Sequence, residues 1–130
     1  MEEWKVAETD VFRKSLKKYV RRHEDAGLQA MHNAARYLEL LNAKIPPEQI
    51  KLGFVHNEKM HGTIAVDSRK GKRRMKATRL YLFPDRETKT LWYLFIGGKD
   101  TQKADLRDRV KPIVNQIIKS RRGEKHGGCD

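Results

Sequence analysis

The chain holds one cysteine, Cys129, set among glycines beside its C-terminal residue. A lone thiol closes no internal disulfide and offers no cysteine-based metal site. No apolar run approaches the roughly 18 residues of a membrane span, and Leu91–Ile96 is among the longest. The opening Met1-Glu2-Glu3 is acidic where a secretory signal is basic. The five histidines are scattered without metal-ligand spacing. Gly97-Gly98-Lys99 lacks the spacing of a phosphate-binding loop, and residue order shows no Ser-His-Asp arrangement. Internal repeats and low-complexity tracts are absent as well. These absences lead to the expectation of a cytoplasmic protein without metal, cofactor or membrane attachment.

Positive charge is what the chain has in excess. Lys and Arg number 29 against 17 Asp and Glu, a net charge of +12 over 130 residues. An excess of this size points to a polyanionic partner, namely RNA, DNA or an acidic protein. The length suits one domain, expected over residues 1–120. Ser120–Asp130 has no apolar anchor, so 121–130 is expected to be a flexible basic, glycine-containing tail.

Hydrophobic periodicity predicts an α+β fold. Trp4 and Val6 alternate with charged residues as in a short strand. Thr9 or Asp10 can cap a helix whose Phe12, Leu16, Tyr19 and Val20 share a face, ending at Asp25-Ala26-Gly27. A second helix carries Leu28, Met31, Ala35, Leu38 and Leu41. Pro46-Pro47 then breaks the pattern, and Ile50, Leu52 and Phe54 read as an extended segment before a turn over His56–Gly62. Three strand-like runs follow, Thr63–Arg69, Met75–Phe83 and Thr90–Ile96, with a turn over Pro84–Glu87 between the last two. Thr101 can cap a final amphipathic helix through Ile118, kinked or restarted at Pro112. The expected architecture is a small antiparallel sheet packed against an N-terminal helical hairpin and a C-terminal helix.

Three groups of cations stand out within this plan. The polar face of the first helix, Arg13 to Arg22, reads most simply as a solvated face. Lys70, Lys72, Arg73 and Arg74 form a basic hairpin loop suited to phosphate, extended by Lys76 and, across the sheet, by Lys103. Arg79 lies mid-strand, and alternation puts it with Tyr81 and Ala77 opposite Leu80 and Leu82. If the leucine face is core, Arg79 projects into a groove; the plainer reading is a salt bridge to a helix carboxylate. An RNA phosphate there would be stabilised best by an arginine, while the RNA's own 2′-hydroxyl attacks. Tyr81, His61 and Lys99 are the candidates for base or acid, and residue order does not rank them.

Arg79-Leu80-Tyr81-Leu82-Phe83 resembles the arginine-led "RVLYF"-like strand of the RelE/ParE toxin superfamily. Phe95 with Lys99-Asp100-Thr101-Gln102-Lys103 resembles the "F…KKTQKT" segment of its HigB-like branch, and Trp4-Lys5-Val6 with Phe12 resembles the family's opening. The resemblance extends to about Ile118. It implies the toxin of a type II toxin-antitoxin pair, bound by a cognate antitoxin and acting on mRNA and ribosomal RNA as a metal-independent, ribosome-dependent endoribonuclease. It also implies roles for Arg79, Lys99 and Lys103, and for Arg69, which stands where an earlier strand of the family ends in arginine. Gly98 replaces the first of the paired lysines, Ala104-Asp105 stands where Thr-Pro is typical, and Leu106 occupies the vicinity of a catalytic tyrosine. The alternatives are a non-catalytic RNA- or protein-binding module of the same fold and a ParE-type gyrase inhibitor.

Overall fold

Two long strands, β4 (Thr78–Asp85) and β5 (Thr90–Gly98), form the antiparallel hairpin against which the other elements pack. The computed structural model describes residues 3–58, 60–70 and 74–127, with side chains as far as position 121. Beyond β4 lie β3 (Ile64–Val66) and β2 (Val55–Asn57), each antiparallel to its neighbour. The strand at the start of the chain, β1 (Lys5–Glu8), takes the far edge of β5 and runs parallel to it, giving the order β1-β5-β4-β3-β2. The sheet is therefore mixed, where an antiparallel one was expected. Thr9 fixes that direction: its hydroxyl bonds the Tyr93 and Leu94 carbonyls (both 3.2 Å) and accepts from the Phe12 N–H (3.0 Å), capping the next helix.

Period-two alternation gives the sheet two apolar faces, each covered by helices. Helices α1 (Asp10–Arg22) and α2 (Glu24–Asn42) lay Phe12, Ala34 and Tyr37 on Leu80, Leu82 and Ile96. On the other face Tyr81, Phe83 and Leu94 meet Val110 and Val114. Leu94 is the extra residue of a bulge opposite the Tyr81/Leu82 step, so Tyr93 and Ile96 both face the helical hairpin. The first helix stops at Arg22, not at Gly27, which lies inside α2. A Cβ on Gly27 would stand 3.0 Å from Val20 Cγ2, so glycine is what lets the two helices approach there.

After β5 the chain makes a 3₁₀ turn (Lys99–Thr101), a short helix α3 (Gln102–Asp105), a π-helical turn (Leu106–Val110) and helix α4 (Lys111–Gly127). The π turn explains how Pro112 is carried without a break. Proline lacks the N–H of an α-helical bond and its ring crowds the carbonyl four residues back, here that of Asp108. Widening the preceding turn, with Lys111 N–H donating to the Leu106 carbonyl, relieves that crowding.

Helix α4 also continues where a tail from 121 was expected. Arg121 pairs with the buried Asp85 carboxylate at the end of β4, and its Nε lies 3.0 Å from Glu87 Oε2. Asp85 further accepts from the Glu87 N–H (3.2 Å) and the Thr88 hydroxyl (3.0 Å). Removing the guanidinium leaves a buried carboxylate short of its charged partner. Arg121→Ala is therefore expected to lower stability by about 1–3 kcal/mol in urea unfolding. An unchanged midpoint would show that this contact does not hold the helix end.

Candidate functional site

The sheet face under α3 and α4 carries apolar residues toward the β4–β5 turn and polar ones at its other end. On β2, the His56 side chain points to this face, paired with Ala65 of β3 and through it with Tyr81 of β4. Glu58 follows two residues later on the same side. His56 Nε2 lies 2.8 Å from Oδ2 of the buried Asp67, which also accepts the Arg69 backbone N–H at 2.7 Å. The Arg69 guanidinium is 3.4 Å from the same Oδ2 and donates to the Gly53 carbonyl at 3.0 Å. From α2, the buried Asn33 amide donates to the carbonyls of Asp67 (2.9 Å) and Arg69 (3.0 Å), and Gln29 holds Asn33 at 2.9 Å. The imidazole is thus oriented through a series of bonds reaching back to the helical hairpin.

A second series runs from β4 to β2. Arg79 Nε donates to Gln102 Oε1 (3.1 Å), and Gln102 Nε2 donates to Glu58 Oε1 (3.2 Å). Only this orientation of the amide serves both neighbours, since a guanidinium can only donate and a carboxylate only accept. Arg79 NH1 also bonds the Thr78 carbonyl at 3.0 Å. Desolvation raises the Glu58 pKa above the usual carboxylate range, against the positive charges of His56 and Arg79, which pull it down.

Glu58 lines a cleft of about 760 Å³ together with Met60, His61, Lys103, Arg107 and Lys111. Lys103, Arg107 and Lys111 recur at steps of four along the α3–π–α4 segment, so this wall is positive. The arrangement can do proton transfer. A carboxylate and an Asp-held imidazole stand two residues apart at the end of β2, with a guanidinium behind the carboxylate and cations facing it.

The face assignment for Arg79 and Tyr81 holds, but the open groove expected above them does not exist. Helices α3 and α4 cover that face, leaving Arg79 8% and Tyr81 0% exposed. Arg79 is tied to an amide, not to the helix carboxylate of the plainer reading. Tyr81 has no partner for its hydroxyl among the described residues. Desolvation, with the Asp105 and Glu58 carboxylates nearby, pushes its pKa up, so it keeps its proton and is a poor base.

The other expected residues spread over several surfaces. His61 and Lys103 line the cleft, His61 from the β2–β3 turn with φ 51°. Lys99 is exposed where β5 ends; its backbone N–H donates to the Ala77 carbonyl at 2.9 Å. Lys76 pairs with Asp100 at 3.3 Å on the opposite flank of α3. Lys70 lines a hollow against α2, and Arg74 is exposed. Lys72 and Arg73 lie outside the described residues. Sequence reading missed His56, Glu58 and Asp67 because 56–62 read as a turn; β2 in fact begins at Val55. The residues carry little signal for it: Val55-His56-Asn57-Glu58 holds one apolar residue and no alternation.

Among the described residues no helix is long and apolar enough to cross a membrane, and no group of three or more His, Cys, Asp or Glu could hold a metal ion. The raised pKa of Glu58 has a sign that can be checked. Its penalty is absent below pH 4.5, where the unfolded carboxyl is protonated too, and grows as pH rises through the higher folded value. Glu58→Gln keeps the acceptor for Gln102 and removes the ionisation. Its stability relative to the parent chain is expected to increase as pH is raised from acid to neutral in urea titrations; a pH-independent difference would contradict the desolvated carboxylate. Comparison of the chain with protein-family models, with curated proteins and with solved structures found no match in any of the three.

Proposed function

We propose that the protein is a metal-independent endoribonuclease, of the kind its resemblance to the HigB-like branch of the RelE/ParE toxins implies, acting on ribosome-bound mRNA and neutralised by an antitoxin. The observation that carries this reading is Glu58 in a positive cleft, at the end of the Arg79–Gln102–Glu58 series and two residues beyond the Asp67-held His56. The element order, from a first strand through a helical hairpin and four further strands to a terminal helix, is also the order the resemblance implies.

In the proposed step Glu58 takes the proton of a 2′-hydroxyl, and the oxygen attacks the adjacent phosphorus. The bond to the 5′-oxygen breaks, and that oxygen leaves with a proton from the ring of a protonated His56, whose Nε2 Asp67 holds in place. The products are a 2′,3′-cyclic phosphate and a 5′-hydroxyl end. Lys103, Arg107 and Lys111 face the negative charge gathering on the phosphate oxygens from the cleft wall, and behind Gln102 stands a further cation, Arg79. Gln102 must release it first, because its Nε is already committed.

That commitment favours a second reading, a basic module that binds RNA without cutting it. The two readings separate on induced expression. Cleavage predicts growth arrest with new 5′ ends in transcripts. It further predicts relief by His56→Gln or Glu58→Gln, each slowing cleavage by about 10²–10⁴-fold, and by Arg79→Lys, which keeps the charge but loses the forked donor. Normal growth with intact transcripts at high expression would leave the binding module.

A further inference from the structure

The segment Lys99–Val110 forms a ridge with a cleft on each flank, and the cleft away from His56 is used by nothing described above. It has a volume of about 720 Å³ and lies between α1, the end of β5 and the π turn. One wall carries Lys14, Lys18 and Arg22, spaced four residues apart and hence about 6 Å per step along one face of α1. All three are exposed and in no ion pair among the described residues. Lys76 and Arg109 add two cations from the other side, against the carboxylates Asp100 and Asp105. Both carboxylates are engaged: Asp100 by Lys76 at 3.3 Å, and Asp105 by the Thr101 hydroxyl at 2.7 Å.

The floor holds the half-buried rings of Tyr19 and Phe95 next to the glycine pair Gly97-Gly98. The groove is also built to keep its shape. Helix α1 is fastened to the sheet at Thr9, at Ser15, whose hydroxyl accepts the Ile96 N–H (3.1 Å), and at Tyr19, bonded to the Thr78 hydroxyl (2.7 Å). Regularly spaced cations along one wall and aromatic side chains in the floor are the two elements that hold a single strand of nucleic acid, one by its phosphates and the other by its bases.

We infer that the groove between α1 and the β5–π segment is a second binding track for single-stranded RNA, holding the strand by its backbone outside the reacting cleft. The inference deepens the proposed RNA-directed function and rests on it for the choice of RNA over another polyanion. A repeating row of cations fits a repeating anion better than the irregular charges of an acidic peptide, which is the competing occupant.

The test uses the full chain and a short fluorescent oligouridylate with 2′-O-methyl groups, which cannot be cleaved, so that binding is read apart from chemistry. The paired substitution Lys14→Gln with Lys18→Gln is expected to weaken binding by roughly tenfold and to lower the slope of log affinity against log salt by about 1.4. The control pair Lys5→Gln with Lys51→Gln removes equal charge from exposed positions outside the groove and is expected to change little. Equal losses in both pairs, or no binding by the parent chain, would overturn the track. Tighter binding of a polyglutamate of matched charge, lost in the same groove variant, would overturn it in favour of an acidic protein. Absence of cleavage in cells with the groove result intact would instead remove the proposed chemistry and leave the track standing.

Discussion

A guanidinium on a central strand beneath a helix has to be answered by hydrogen bonds, and much of the site follows from how Arg79 is answered. Strand alternation on β4 puts Leu80 and Leu82 under the helical hairpin and sends Arg79, Tyr81 and Phe83 to the opposite face. That face is closed by α3 and α4, so the charge lies where water is scarce and an unmet donor is costly. Gln102 meets it and passes the bond on to Glu58. The same closure desolvates Glu58 and makes its carboxyl a stronger base than an exposed one. Packing and proton chemistry therefore share one cause.

The ridge that closes the face also divides the surface. Residues four apart along Lys103–Lys111 face the cleft with Glu58, whereas Thr101, Asp105 and Arg109 face the groove beside α1. Gly97 permits the ridge to lie this close to the sheet: a Cβ there would fall 2.6 Å from Asp105 Oδ2. The π turn before Pro112 then redirects the chain into α4, whose Val114 closes the apolar end over Phe83 and Leu94. At the far end, Arg121 reaches the carboxylate of Asp85.

The strongly periodic parts of this plan were legible in the residues. The apolar stripe of α1, the three late strands and the opposite faces of Arg79 and Leu80 follow from 3.6- and 2-residue periods alone, whereas the expected α2 stripe does not hold: Leu28 and Ala35 are exposed, and the buried face runs through Ala30, Ala34, Tyr37 and Leu41. The direction of β1 was not legible, because four mostly exposed residues carry no mark of which edge they join; it is set by long-range bonds from Thr9 to β5. Gly27 looked like a helix terminus because glycine serves both as an end and as a close-contact point, and local sequence does not separate the two. The burial of Arg79 depended on where α4 lies, which no local pattern encodes. His56, Glu58 and Asp67 were hidden for a related reason: they come together only once β2 and β3 pair.

Phosphodiester chemistry without a metal leaves a signature in its products, and that signature bears most directly on the central claim. Purified protein, RNA and ribosomes are incubated together, and the new RNA ends are identified chemically. The arrangement of Glu58, His56 and Arg79 predicts 2′,3′-cyclic phosphate and 5′-hydroxyl ends, lost when either Glu58 or His56 becomes glutamine. Intact RNA, or fragments bearing 5′-phosphates, would contradict it.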